Sequence, residues 1–171
     1  MKAKTRKRYP DMASASVTKS VAKAKSLDGA SEKNGRAQKE VGNPYSKCVG
    51  YKFNVKTHAW CQAMNVVIDY VTKTVKKFTT TAGCRQAVKW FKNKKRWYKK
   101  GSTPKLGDYV YYDFKRKKPK YATHTGRIIS VNTKKHTCVA EEGNVSNNTK
   151  KRCFNYLTYK YLLGFGRPFY K

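Results

Sequence analysis

The sequence predicts an α+β fold, with helices first and a mostly antiparallel sheet after them. Three observations carry this. From Trp60 onward, Met64, Val67, Ile68, Val71 and Val75 recur at three- and four-residue steps, the period of a helix with one buried face. A shorter stripe of the same period, Ala87, Val88 and Phe91, follows Gly83. Beyond Gly107 the pattern changes to aromatic and β-branched runs separated by Lys/Asn/Thr-rich links, which is strand and turn chemistry. Helices segregated from strands in this way place a chain in the α+β class.

Taken in order, residues 1 to 42 hold Lys, Ala, Ser and Gly with few large apolar side chains. They are expected to form a mobile basic tail, transiently helical over Val17 to Lys25, because so little apolar surface offsets the entropy of ordering. Asn43-Pro44 is the expected boundary, since Asx-Pro favours a turn and aromatic content rises after it. Residues 43–171 then form one domain. Its helices are expected from Trp60 to about Val75 and from Gly83 to about Lys94, followed by a loop over Gly101 to Gly107 punctuated by Pro104. Strands are expected at Tyr109 to Phe114, Thr123 to Val131 and His136 to Glu142, with weaker ones near Arg152 to Thr158 and Leu162 to Gly166.

Charge and cysteines bound the function. The 171 residues carry 40 Lys and Arg against 9 Asp and Glu, a formal net charge of +31. Such a surface opposes compaction and draws the protein toward polyanions: nucleic acid, anionic lipid or cell-wall polymer. The five cysteines, at 48, 61, 84, 138 and 153, contain no C-x-x-C pair and come with only three histidines, which speaks against structural zinc. No metal or other cofactor is expected. A chain of this length needs no disulfide framework, so reduced thiols fit synthesis in a cytosol. Met1 to Arg8 resembles the basic start of a secretory signal, but no apolar stretch follows, and no segment is long enough to span a bilayer.

Four side chains stand out as a candidate catalytic group: Cys61, His124, Glu142 and Asn144. Cys61 opens the first helix behind Trp60, where unpaired backbone N–H groups and the positive end of the helix dipole favour thiolate. A free cysteine is ordinarily a small buried hydrophobe, and Cys48, Cys84, Cys138 and Cys153 are read that way. His124 starts a strand and is followed by Thr125-Gly126, where the glycine leaves room for close approach inside a sheet. His58 and His136 are expected to be solvated, with a place lining the cleft as the alternative for His58. After Glu40 the chain's acids are Asp69, Asp108, Asp113, Glu141 and Glu142 in a Lys/Arg-rich background, so Glu142 looks placed. Period-two alternation puts Glu142 on one face with Cys138 and Ala140, and Glu141 on the other with Val139. Glu142 is the preferred orienter of the imidazole, and Asn144 the second candidate, since an amide oxygen also accepts an imidazole N–H. The plainer alternative makes Gly143-Asn144 a turn after an exposed glutamate.

Trp60-Cys61, Cys84 with Trp90-Phe91 and Trp97, Gly107-Asp108-Tyr109-Val110-Tyr111-Tyr112, His124-Thr125-Gly126, Glu142-Gly143-Asn144 and Gly164-Phe165-Gly166-Arg167-Pro168 occur in the order and spacing of a known family. From about Tyr45 to Tyr170 the chain resembles the CHAP domain, the cysteine, histidine-dependent amidohydrolase/peptidase of bacteriophage and bacterial peptidoglycan hydrolases. The resemblance implies a papain-like fold and cleavage of an amide in the peptidoglycan stem peptide or cross-bridge. It makes Cys61 the nucleophile, His124 the base and acid, Glu142 the orienter and Asn144 a further polar member, with Asp108 a structural turn residue. It further implies action at the bacterial wall, from a phage particle or the host cytoplasm, with teichoic acid, packaged DNA or other virion proteins as partners of the basic surface. Two departures are plain: the family's frequent calcium-binding acidic loop has no counterpart here, and this chain is far more basic. The competing reading is a basic nucleic-acid-binding virion protein, in which Lys94-Lys95-Arg96-Trp97-Tyr98-Lys99-Lys100 and Lys115-Arg116-Lys117-Lys118 combine phosphate neutralisation with stacking.

Overall fold

A computed structural model describes residues 14–171. Its helices are α1 (Ala15–Ser26), α2 (Asn43–Val49), α3 (Cys61–Thr72) and α4 (Cys84–Asn93), with a π-helical turn, Gln38–Gly42, leading into α2. The strands are β1 (Trp97–Lys99), β2 (Tyr109–Tyr112), β3 (His124–Asn132), β4 (Thr137–Val145), β5 (Asn148–Asn155) and β6 (Leu162–Gly166). They form one six-stranded antiparallel sheet in the order β1-β6-β2-β3-β4-β5. The expected meander is β2 to β5. The chain then returns across the sheet, so that β6 lies between β2 and the short β1. The fold is α+β, and no helix among the described residues is long and apolar enough to cross a membrane.

Residues 14–42 correct the expectation of a mobile tail, whose first 13 residues lie outside the described residues. Ser14 caps α1, its Oγ accepting the Val17 N–H at 3.3 Å. Ser20, Val21, Ala24 and Leu27 then form a buried stripe at helical spacing, while Lys19 and Lys25 stay exposed. Alanine and serine fill this face, so the apolar signal is weak although the packing is close. The backbone adds a second attachment. Ala30 and Ser31 run beside the β4–β5 hairpin, with Thr149 N–H donating to Ala30 C=O at 2.7 Å and Ser31 bridging Asn148. Asn43-Pro44 is likewise no boundary, because proline at the first turn of α2 needs no N–H partner and the helix runs on.

Arg127 of β3 locks these layers together. Fully buried, it pairs with Asp69 of α3 at 2.9 Å, donates to the side chain and C=O of Asn65, and reaches Ser20 of α1 and Tyr170 near the C-terminus. Its guanidinium lies 4.1 Å from the Tyr109 ring centroid. A buried charge with so many partners contributes position more than net stability, and removing either member of the ion pair costs about 3–5 kcal/mol.

The helix from Trp60 ends at Thr72, earlier than its stripe suggests: Lys73 adopts φ 55°, Val71 is exposed and Val75 bridges Tyr170. Cys153 is exposed, correcting its reading as a core thiol, and Cys48 is half-buried. His58 and His136 are both exposed.

Candidate active site

The fold brings the N-terminus of α3 to the end of the sheet where β3 begins and β4 ends. Trp60, fully buried, precedes the thiol and anchors it, its Nε1–H donating to Glu32 at 3.1 Å. The indole packs onto β4 so closely that a Cβ at Gly143 would sit 2.7 Å from it. Gly143 therefore serves close approach, and Glu142 is placed by the strand on the opposite side of that contact.

Cys61 is the first residue of α3 and only 5% exposed. Its sulfur lies 3.7 Å from that of Cys84, the first residue of α4. The Cys61 thiol is held well below its usual range. The largest cause is a hydrogen bond from the Cys84 S–H, followed by the hydrogen bond and charge of His124 and by the Gln62 backbone N–H, against the opposing cost of burial. Cys84 is pushed up by the same pairing and by burial.

His124 joins its Nε2 to Glu142 Oε2 at 3.1 Å, leaving Nδ1 as the remaining ring nitrogen. Its ring stacks at 22° on Tyr112 and lies 5.7 Å from Phe114, which fixes its plane. Burial alone would lower its pKa, but the Cys61 and Glu142 contacts outweigh it and push it up to about 9. Thiol and imidazole thus favour the thiolate–imidazolium pair.

Glu142 is fully buried, and burial pushes its carboxyl upward. His124 and Arg152 override this and hold it below the usual carboxylate range. Arg152 of β5 donates from Nε to both carboxylate oxygens, at 2.9 and 3.0 Å, and its guanidinium lies 4.9 Å from the Phe114 centroid. Gly126 is needed beside them: a Cβ there would meet Glu142 Cγ at 2.7 Å and the Glu141 carbonyl at the same distance.

Of the four sequence-selected residues, the structure brings together Cys61, His124 and Glu142. Asn144 turns away from regular strand geometry at φ 60°, where β4 and β5 shift register, and among the described residues it shares no hydrogen bond with the imidazole. Two members were missed. Cys84 was read as a core thiol, and Arg152 as part of a weak strand. The signal for Arg152 lay in hairpin register: β5 pairs it with Ala140, so it is the diagonal neighbour of Glu142 on the same face.

A surface cavity of about 580 Å³ is lined by Glu32, Gln38, Phe53 and Lys56 and not by the three grouped side chains, so it does not mark the site. Among the described residues no group of three or more His, Cys, Asp or Glu side chains is arranged to hold a metal ion. In comparison with known proteins, the chain matches no family model and no curated sequence.

Proposed function

We propose that the protein is a cysteine-dependent amidase or endopeptidase acting on bacterial peptidoglycan, in a papain-like fold of CHAP type. One observation carries the reading. Three side chains from distant stretches meet as thiol, imidazole and carboxylate, with the thiol at a helix N-terminus and the other two on adjacent strands. The fold class is in keeping with it. The substrate class rests on the sequence resemblance and on the net charge of +31, which suits an enzyme that must concentrate on a wall rich in anionic polymer.

In the proposed reaction the Cys61 thiolate attacks the amide carbonyl, and the backbone N–H of Cys61 helps hold the oxyanion. The His124 imidazolium gives its proton to the leaving amine. The neutral imidazole then takes a proton from water, which releases the acyl group. Glu142 holds Nε2, so that Nδ1 is the nitrogen that exchanges protons with the chemistry, and Arg152 keeps the carboxylate ionised and still. The Cys61 N–H also belongs to the helix end, where the dipole favours negative charge.

Cys61→Ala is expected to abolish clearing of cell-wall suspensions while leaving the melting temperature close to wild type. Clearing at the wild-type rate would end the proposal. Mass spectrometry of fragments released by the wild type identifies the scissile amide from its new amino terminus, separating N-acetylmuramoyl-L-alanine amidase from endopeptidase.

A second reading, a polyanion binder that uses this fold as scaffold, is favoured by one surface feature. Tyr121 is 40% exposed and has the cations of Arg85, Arg116 and Lys120 at 4.8, 5.0 and 5.1 Å from its ring. Tight DNA binding with a steep salt dependence, and no thiol-dependent hydrolysis, would establish that reading instead.

A further inference from the structure

We propose that Cys61 and Cys84 form a reversible redox pair, in which a peroxide oxidises Cys61 and Cys84 closes a disulfide that switches the site off. The pairing stands on the contact between the two sulfurs. Only the loss of activity on closure rests on the proposed hydrolase function.

The two sulfurs are 3.7 Å apart and already in contact. A disulfide requires about 2.05 Å, so roughly 1.6 Å of closure is needed. Each thiol is carried by the first residue of a helix, where side-chain rotation moves the sulfur without breaking hydrogen bonds inside either helix. Gly83, extended at φ −89° and ψ 123°, directly precedes Cys84, which places this thiol on the first residue of α4.

The two cysteines divide the chemistry. Cys61 is the more thiolate-like, and thiolate is the form that attacks peroxide oxygen. Cys84 is held protonated by the same contact and sits where it can resolve the product. In the first step the Cys61 thiolate forms an S–O bond as the peroxide O–O bond breaks; hydroxide leaves and takes up a proton, giving sulfenic acid and one water. In the second, the Cys84 sulfur attacks that sulfenic sulfur, the S–O bond breaks, and the Cys84 proton leaves with the hydroxyl as a second water. Two thiols lose two electrons and two protons, and one hydrogen peroxide is reduced to two waters.

The remaining cysteines are internal controls. Cys138 is buried in the sheet, Cys153 is exposed on β5 and Cys48 is half-buried on α2. Burial leaves Cys138 and Cys48 above the usual thiol range, so they are poor nucleophiles.

The test exposes the native chain to equimolar hydrogen peroxide, quenches it in acid, alkylates it unfolded with iodoacetamide and maps its peptides. The expected product has lost the mass of two hydrogens, carries alkyl groups on Cys48, Cys138 and Cys153, and yields one linked peptide pair joining Cys61 to Cys84. Dithiothreitol restores five alkylatable thiols and, in the same aliquot, the wall-clearing activity. When Cys84→Ser and wild type are treated alongside with two or more equivalents, a second peroxide carries the Cys61 sulfenic acid of Cys84→Ser on to sulfinic acid, which dithiothreitol does not reverse. The proposal is overturned if wild-type Cys61 gains two oxygens as readily as in Cys84→Ser, if either thiol links to another cysteine, or if both remain alkylatable. The mass readout needs no hydrolysis. A linked pair in a protein that never clears cell walls would therefore sink the hydrolase reading and leave the redox pair standing.

Discussion

Glu141 and Glu142 are consecutive residues of β4, both fully buried, and their surroundings drive them in opposite directions. Glu142 is bonded to His124 and, through both oxygens, to Arg152, and its carboxyl is held below the usual range. Neither carboxylate oxygen of Glu141 has a hydrogen-bond partner among the described residues, and burial pushes its pKa up to about 7. The cations beside it in the ladder are engaged elsewhere: Arg127 gives its donors to Asn65, Asp69, Ser20 and Tyr170, and Lys151 bonds Asp28. Burial alone makes a carboxyl a neutral acid. Burial with dedicated donors makes it a fixed anion, and only the second kind can orient an imidazole.

The largest expected effect breaks this comparison from the Glu142 side. Glu142→Gln removes the charge that supports the imidazolium, and kcat for wall hydrolysis should fall by roughly 10²-fold or more, with a smaller change in KM. Glu141→Gln should stay within about twofold of wild type, because it touches neither His124 nor Cys61. Equal losses in the two variants would show that adjacency on β4, and not the hydrogen bond to His124, is what matters.

Arg152 offers a finer cut. Replacing it with methionine leaves Glu142 buried beside His124 without the Nε–H that both its oxygens share and without the guanidinium charge, which makes the two neighbours more alike. The Glu142 pKa should rise, the acid limb of the pH–rate profile should move to higher pH, and kcat should fall by about tenfold. Arg152→Lys keeps the charge but loses the two-oxygen contact, so it should recover the position of the acid limb before it recovers the rate. A rate loss with an unmoved profile would reduce Arg152 to a packing residue.

The same contrast explains what was legible in the sequence. Helices α3 and α4 announce themselves by period, and β2, β3, β4 and β6 by aromatic and β-branched runs, β2 being buried on both faces. Strand β5 begins at Asn148, before the expected Arg152, because it buries only Thr149 and Phe154, and the three-residue β1 was not expected. Cys61, His124 and Glu142 stand out by position: a thiol at a helix start, a histidine at a strand start and an acid among lysines. Asn144 stood out by the same reasoning, and the left-handed turn that takes it away from the imidazole leaves no mark in composition. Residues 14–42 were illegible because alanine and serine bury without a strong apolar signal and because backbone bonds at Ala30 and Thr149 depend on no side chain. Arg152 was hidden in plain composition. In a chain with 40 basic residues, one more arginine distinguishes itself only through its register with Glu142.

The smallest expected effect sharpens the comparison from the Glu141 side and concerns stability. An unfolded chain ionises this carboxyl near its ordinary value of 4.5, whereas the folded protein holds the proton up to about 7. Below the lower value both states are protonated and the group's stabilising contribution is full. As pH rises from about 4.5 through 7 the unfolded state releases its proton first, and the contribution is lost. At about 1.4 kcal/mol per unit, the loss is on the order of 3–4 kcal/mol, or roughly ten degrees of Tm for a chain of this size. Glu141→Gln mimics the protonated side chain and removes that loss, so its Tm relative to wild type should climb between pH 4.5 and pH 7.5 and then level off. Titrations of His124 and Cys61 are shared by both proteins and cancel in the difference. A flat difference curve would mean that Glu141 is ionised throughout and has donors that its buried position does not reveal. Its contrast with Glu142 would then be one of geometry alone.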